Sequence, residues 1–185
     1  MKKIIAFAGS NSKNSINKQL VTYASGLLDD ATVEVLDLND FELPVFGVDL
    51  ENEKGIPENA HKFLNLIKSS QGIVLSLAEH NGAYSTVFKN IFDWMSRIES
   101  KTFFGKPMLL MAASPGGRGG ASVLSVAQNR FPYHNAEITG VFSLPNFKEN
   151  FSDGKLINKE LDSELKKAVS EFEKRLEHAS TTQAS

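Results

Sequence analysis

Cysteine is absent from all 185 residues, which removes disulfides, thiolate catalysis and sulfur-ligated metals from the available chemistries. Any redox function must come from a bound cofactor. Long apolar runs are missing too: nothing approaches the roughly 18 consecutive apolar residues of a membrane span, so no membrane partner is expected. The apolar start, Ile4 to Ala8, follows two lysines but breaks at Gly9 and Ser10, short of the about 7–15 residues of a signal-peptide core. A buried first strand is the better reading, and the cytoplasm is the expected compartment. A large excess of charge of one sign is also lacking. With 20 basic and 22 acidic residues the net charge is −2, which supplies no long-range attraction for nucleic acid or anionic lipid.

What is present is an ordinary globular composition, 41% apolar and 23% charged, close to the averages for soluble domains. At roughly 100–200 residues per domain, the length predicts a single domain over residues 1–180, with a disordered tail at 181–185. Short apolar runs alternate with longer amphipathic stretches. Lys3 to Ala8, Thr32 to Leu38, Gly72 to Leu77, Lys106 to Ala113 and Glu137 to Phe142 read as strands. Ile16 to Leu28, Pro57 to Lys68, Ser85 to Ser96, Ala121 to Arg130 and Lys159 to His178 read as helices. Strands joined through helices pair in parallel, and right-handed crossovers cover both faces of the sheet. The expected architecture is therefore an α/β three-layer sandwich, doubly wound, with ligands binding beyond the carboxyl ends of the strands where strand order reverses.

Three loops occupy that position. After the first strand comes Gly9-Ser10-Asn11-Ser12-Lys13-Asn14-Ser15-Ile16-Asn17. Small hydroxyl and amide side chains with main-chain N–H groups at a helix start suit one phosphate; a polar turn with an N-cap serine fits as well. Neither the P-loop spacing nor the dinucleotide fingerprint is present. After the third strand comes Ala78-Glu79-His80-Asn81-Gly82-Ala83-Tyr84, whose amides and glycine can approach a planar heterocycle, with His80 either a ring contact or a surface histidine. In the following helix Lys89, Asn90, Asp93 and Trp94 are spaced as two helix faces, with Trp94 read as core or subunit contact. After the fourth strand comes Ser114-Pro115-Gly116-Gly117-Arg118-Gly119-Gly120. Four glycines in five positions at the end of a central strand point to close main-chain approach to a ligand, and Arg118 either meets phosphate or is solvated.

Taken in order and in register with the strands, these loops resemble the NADPH-dependent FMN reductase family, a branch of the flavodoxin-like fold. The motif Gly-Ser-x-Arg-x-x-Ser-x-Asn corresponds to Gly9 to Asn17. Pro-Glu-Tyr-Asn corresponds to Ala78 to Asn81, and Leu-Lys-Asn-x-x-Asp-Trp to Phe88 to Trp94. Ser-Pro-Gly-Gly-x-Gly-Gly is intact at Ser114 to Gly120. The resemblance implies a five-stranded parallel sheet of order 2-1-3-4-5 and a bound FMN. Ser10, Ser12, Ser15 and Asn17 would hold its phosphate, in a loop that also carries Lys13 and Ile16. Glu79, His80, Asn81 and Gly82 would border the ring and ribityl chain, and Ser114, Pro115, Gly116 and Gly117 would wrap the flavin from the other side. Pro44-Val45-Phe46 resembles the family's segment near the ring and a neighbouring subunit. Where the family has arginine this chain has Ser12, which leaves Lys13 or Lys18 to supply the charge, or FMN held less tightly. Ala78 and His80 replace the family's proline and tyrosine and change the ring environment.

The expected activity is hydride transfer from NADPH or NADH to FMN and then to a small acceptor: free flavin, a quinone, an azo compound or a metal oxyanion. No catalytic acid, nucleophile or metal ligand is expected from the protein. The alternatives are a flavodoxin-type electron carrier that does not itself oxidise nicotinamide, and a fold used for another phosphate-containing ligand. Phe46, Trp94, Phe103 and Phe104 supply more apolar groups near the ligand edge than a small monomer exposes, so a homodimer or homotetramer is expected.

Overall fold

The central strands form where consecutive apolar residues are buried on both faces, as a covered parallel sheet requires. In the computed structural model, which describes residues 1–182 (side chains through 179), these are β1 (Lys2–Gly9), β3 (Gly72–Leu77) and β4 (Pro107–Ala113), each buried along all or nearly all of its length. The outer strands β2 (Ala31–Leu36) and β5 (Glu137–Leu144) are only partly covered. All five run parallel in the order β2-β1-β3-β4-β5, the flavodoxin-like order expected from the motifs. Strand order reverses between β1 and β3, and there the ends are level: Gly9 is registered with Leu77, and Leu77 with Ala112.

Alternation of side chains across the sheet divides the core in two. Phe7, Leu75 and Leu110 face α2 (Glu58–Ser69), α3 (Thr86–Ile98) and α4 (Ala121–Arg130). Ile4, Ala6, Val74 and Met111 face α1 (Ile16–Ser25) and α5 (Lys159–Thr182). The layers are the three expected.

Element ends differ from expectation for local reasons. Helix α1 stops at Ser25, not Leu28, because the Leu27 and Leu28 N–H groups reach only three residues back, to the Ala24 and Ser25 carbonyls, and tighten the last turn out of α geometry. Strand β2 stops at Leu36 because the Asp37 carboxylate accepts from the Asn39 N–H and opens a 3-10 turn over Leu38–Asp40. Strand β5 continues to Leu144, since Phe142 and Leu144 still point into the core. Helix α5 extends past His178 to Thr182, which takes in residues 181 and 182 of the expected tail; 183–185 lie outside the described residues. A short helix, Val48–Lys54, and hairpins at 79–84 and 151–156 were not foreseen.

The aromatic residues read as an exposed edge are mostly interior. Trp94 and Phe103 are fully buried, and Phe46 packs edge-to-face on Trp94 at 5.0 Å. Their burial corrects the basis on which subunit association was expected. Apolar exposure near that edge falls instead on Val45 (77%) and Val48 (59%).

His134 is buried beneath α3, its ring against Phe92 at 4.7 Å and its Nδ1 donating to the Ser100 carbonyl at 2.8 Å. Burial holds its pKa below the ordinary value, and the nearby Arg130 and Lys101 charges act the same way, against the Ser100 bond. The unfolded chain therefore takes up a proton below pH about 6.5 that the native chain resists. Stability present above that pH is lost as pH falls through it. Urea midpoints should drop between pH 7.5 and 5.5, and His134→Asn should show a smaller drop across the same window.

Candidate cofactor site at the carboxyl edge of the sheet

The first loop coils between β1 and α1. Ser15 is its pivot: buried, with extended backbone (φ −62, ψ 120), its Oγ accepts from the Lys18 N–H at 3.1 Å and caps α1. Upstream, the Ser12 N–H donates to Ser10 Oγ at 3.2 Å, and the Ser15 N–H to the Ser12 carbonyl at 3.2 Å. No acidic residue lies in the first helical turn. The N–H groups of Ile16 and Asn17, which have no acceptor earlier in the helix, are left for an anion. The Ile16 side chain packs against the core beneath α1.

The carboxamide of Asn17 is engaged within the fold. Only 3% exposed, the residue turns it inward. Its Oδ1 accepts from the Ala113 N–H at 2.8 Å and from Ser76 Oγ at 2.7 Å, and its Nδ2 donates to the Ala113 carbonyl at 3.2 Å. The side chain ties the start of α1 to β3 and β4; only its main-chain N–H remains available at the loop. Of the two candidate lysines, Lys18 is paired with Asp37, and that bond holds the Asp37 carboxyl below its usual range. Lys13 is exposed and has no ion pair among the described residues.

The second loop is a tight hairpin, Glu79–His80 against Ala83–Tyr84, turning through Asn81 (φ 51) and Gly82 (φ 76). Two left-handed residues in succession make this the turn that matches strand twist, and Asn-Gly is its preferred sequence. His80, Asn81 and Gly82 are exposed at the tip. Glu79 looks the other way. Its Oε2 accepts from the Val123 N–H at 2.9 Å, in the first turn of α4, where the cap residue Gly120 has no side chain to offer. Ser85 closes the loop: its Oγ donates to the Gly9 carbonyl at 2.7 Å and accepts from the Phe88 N–H at 3.3 Å. Tyr84 stacks on Phe131 at 5.9 Å, and burial pushes its hydroxyl up to about 12.

The third loop separates into two glycine pairs. Gly119 (φ +58) and Gly120 (φ +78) are required by the fold, because a Cβ would lie 2.2 Å from Ser143 Oγ at the first and 2.7 Å from the Ala112 Cβ at the second. Gly116 and Gly117 have no such reason: nothing lies within 4 Å of a Cβ on Gly116, and only the Asn146 carboxamide approaches one on Gly117, at 3.7 Å. Their carbonyl-side geometry is nonetheless fixed. The Gly116 N–H donates to Ser114 Oγ at 3.2 Å, and the Gly116 carbonyl accepts from the Asn146 N–H at 3.0 Å. Pro115 is exposed beside them, and Arg118 bonds Ser122 Oγ at 2.9 Å.

The structure thus brings the three loops to one edge and stitches them together: Ser85 joins the second to the first, Asn17 the first to the third, and Glu79 the second to the helix that follows the third. This edge offers an acid-free helix start at Ser15 and an open main-chain wall at Gly116–Gly117. These residues fit a phosphate-bearing planar group such as FMN, whose phosphate and ring need those two surfaces.

Residues outside the expected set build a neighbouring wall. Asn90 Oδ1 accepts from the Phe46 N–H at 2.8 Å, and Asn90 Nδ2 and Trp94 Nε1 donate to the Pro44 carbonyl at 3.0 and 2.8 Å. Arg97 Nε meets the Glu51 carboxylate at 2.9 Å. These three positions share one stripe of α3 and suspend residues 43–54 from it. A cleft of about 440 Å³, bordered by Asn11, Phe41, Leu43, Thr86 and Asn90, lies between that segment and the first loop. The spacing of Asn90 and Trp94 placed them on a helix face; what they hold lies more than 40 residues earlier.

Glu79 makes the coupling testable. Glu79→Ala should lower FMN retention about tenfold, in the range of a lost charge-assisted bond, while Glu79→Gln, which still presents an acceptor oxygen, should stay within about threefold of wild type. Fluorescence titration of the apoprotein checks both, and equal retention by all three proteins would remove the coupling role.

The chain is a doubly wound α/β protein whose three loops meet over the strand ends. The family model described as NADPH-dependent FMN reductase matches residues 2–149, and the chain belongs to that family. Among curated relatives it is 29% identical over 120 residues to a quinone reductase of Escherichia coli (strain K12), covering 64% of this chain and 63% of that one. It is also 28% identical over 152 residues to an NADPH azoreductase of Bacillus sp. (strain OY1-2), covering 82% and 77%. Among solved structures, FerB, a flavoenzyme NAD(P)H:(acceptor) oxidoreductase of Paracoccus denitrificans, superposes with a TM-score of 0.76 at 23% identity over 96% of this chain and 98% of that one. The match spans under two thirds of the quinone reductase's length.

Proposed function

We propose that the chain is an FMN-dependent NAD(P)H oxidoreductase of the cytoplasm that reduces a small acceptor, a quinone or an azo compound. The observation that carries this reading is the pairing of an open Gly116–Gly117 wall with an acid-free helix start at Ser15, held level by three side-chain bonds. Family membership and the printed activities of the two curated relatives support it.

Held there, FMN would supply the two-electron redox chemistry that links the nicotinamide to the acceptor. The chain's part is to hold and shape. The hydroxyls of Ser10 and Ser12 and the N–H groups of Ile16 and Asn17 receive the phosphate, with Lys13 contributing charge in place of the family's arginine. The hairpin tip at His80 to Gly82 borders one edge of the ring and Ser114 to Gly117 the other. Ser85 and Glu79 set the distance between those walls. The segment at Pro44 to Phe46, fixed by Asn90 and Trp94, shapes the approach to the ring and keeps water from part of it.

The purified chain, loaded with FMN and desalted, should keep the flavin absorption bands and lose them on anaerobic addition of NADPH or NADH. Retained bands that neither nucleotide bleaches within seconds would replace the reductase reading with an electron carrier.

The proposal includes a homodimer or homotetramer. Val45 and Val48, 77% and 59% exposed beside the site, supply the apolar contact that the interior aromatics do not. Light scattering should give two or four times 20.3 kDa, and Val45→Asp should shift the mass toward that of one chain. A single-chain mass for wild type would reject association.

A further inference from the structure

The turn after β5 carries a carboxamide that the fold does not use. Asn146 adopts a left-handed backbone (φ 45, ψ 54), and its main chain is pinned on both sides. Its N–H donates to the Gly116 carbonyl at 3.0 Å, while its carbonyl accepts from the Glu149 and Asn150 N–H groups at 2.9 and 3.3 Å. Asn150 Nδ2, donating to the Pro145 carbonyl at 2.9 Å, braces the same turn. The side chain, by contrast, has no hydrogen-bond partner among the described residues. It is half-buried and stands over the open glycine pair, with Oδ1 at 3.7 Å and Nδ2 at 4.0 Å from where a Cβ of Gly117 would be. A carboxamide that the fold leaves to solvent keeps its full hydrogen-bonding capacity, one acceptor and two donors. One that is held rigidly beside a surface bare of side chains is free to serve a ligand.

We propose that Asn146 is a further cofactor-binding residue of this site, its carboxamide hydrogen-bonding the pyrimidine edge of the flavin ring. The inference rests on the FMN reading above. The chemistry of the group selects that part of the ligand: a carboxamide offers one acceptor and two donors, matching an edge on which ring carbonyls alternate with an N–H, whereas a phosphate asks for donors alone. Asparagine also tolerates the left-handed conformation, so backbone geometry alone could account for its presence. The two roles separate by substitution.

Asn146→Gly keeps, and eases, the backbone conformation while removing the carboxamide. Asn146→Asp keeps the shape and removes both donors. Titrating FMN into each apoprotein by fluorescence quenching, alongside thermal melts of the apoproteins, should show unchanged or higher melting temperature for Asn146→Gly with about fivefold weaker FMN binding, the range of one hydrogen bond. Asn146→Asp should bind more weakly still and lower the midpoint potential of the FMN it retains, since an added negative charge opposes uptake of electrons. An Asn146→Gly affinity within twofold of wild type would reduce Asn146 to a turn residue and overturn the proposal alone. Weakened binding accompanied by loss of oligomer mass would overturn it too, by assigning Asn146 to a subunit contact. A wild-type chain that takes up no FMN would overturn both this proposal and the reading beneath it.

Discussion

Asn17 joins α1 to strands β3 and β4 through the hydrogen bonds of one side chain. Ser76 sits in a strand buried along its whole length, where a hydroxyl without a partner costs about 1–3 kcal/mol, and the last residue of β4 has main-chain groups beyond the end of its ladder. One carboxamide satisfies all of them. In doing so it sets the height of α1 above the sheet, and with it the position of the loop that the helix terminates. Ser85 and Glu79 repeat the device on either side, each spending a side chain from one loop on the main chain of its neighbour. The ligand edge is rigid because its walls are bonded to each other, not because each is rigid alone.

The same arrangement explains how much was legible beforehand. Strands β3 and β4 and helix α4 were placed almost to the residue, because unbroken apolar runs and amphipathic periods are local signals. The switch point followed from the alternation of elements, and the two glycine-bearing loops followed from their position after central strands. Where a residue's partner lay far along the chain, its chemistry was visible and its task was not. The motif puts Asn17 at the phosphate loop, but nothing local shows that its carboxamide bonds groups up to 96 residues away. The motif puts Glu79 beside the ring, but nothing local shows that its carboxylate caps a helix 44 residues on. Phe103 and Trp94 read as an exposed edge because nothing local to them announces that the 43–54 segment and Phe131 close over that side. The role proposed for Asn146 has no sequence signal, since a left-handed asparagine in a turn and a ligand contact share one letter.

Within the glycine-rich loop, composition alone did not separate glycines needed by the fold from those that leave room for something else. Steric accounting does. Gly119 and Gly120 are forced by Ser143 and Ala112, and Gly116 and Gly117 are not forced by any neighbour. The first pair lets the chain turn tightly from β4 into α4, and the second presents bare main chain at the end of that turn. The short connection therefore serves topology and recognition in adjacent residues.

Residues 43–54 hang from a single stripe of α3 through Asn90, Trp94 and Arg97 and take no part in the sheet. Such a segment can lengthen, shorten or change its apolar character between related chains so long as that stripe keeps three anchoring side chains. The wall beside the cleft can thus change without disturbing the strands, which gives one scaffold a replaceable front.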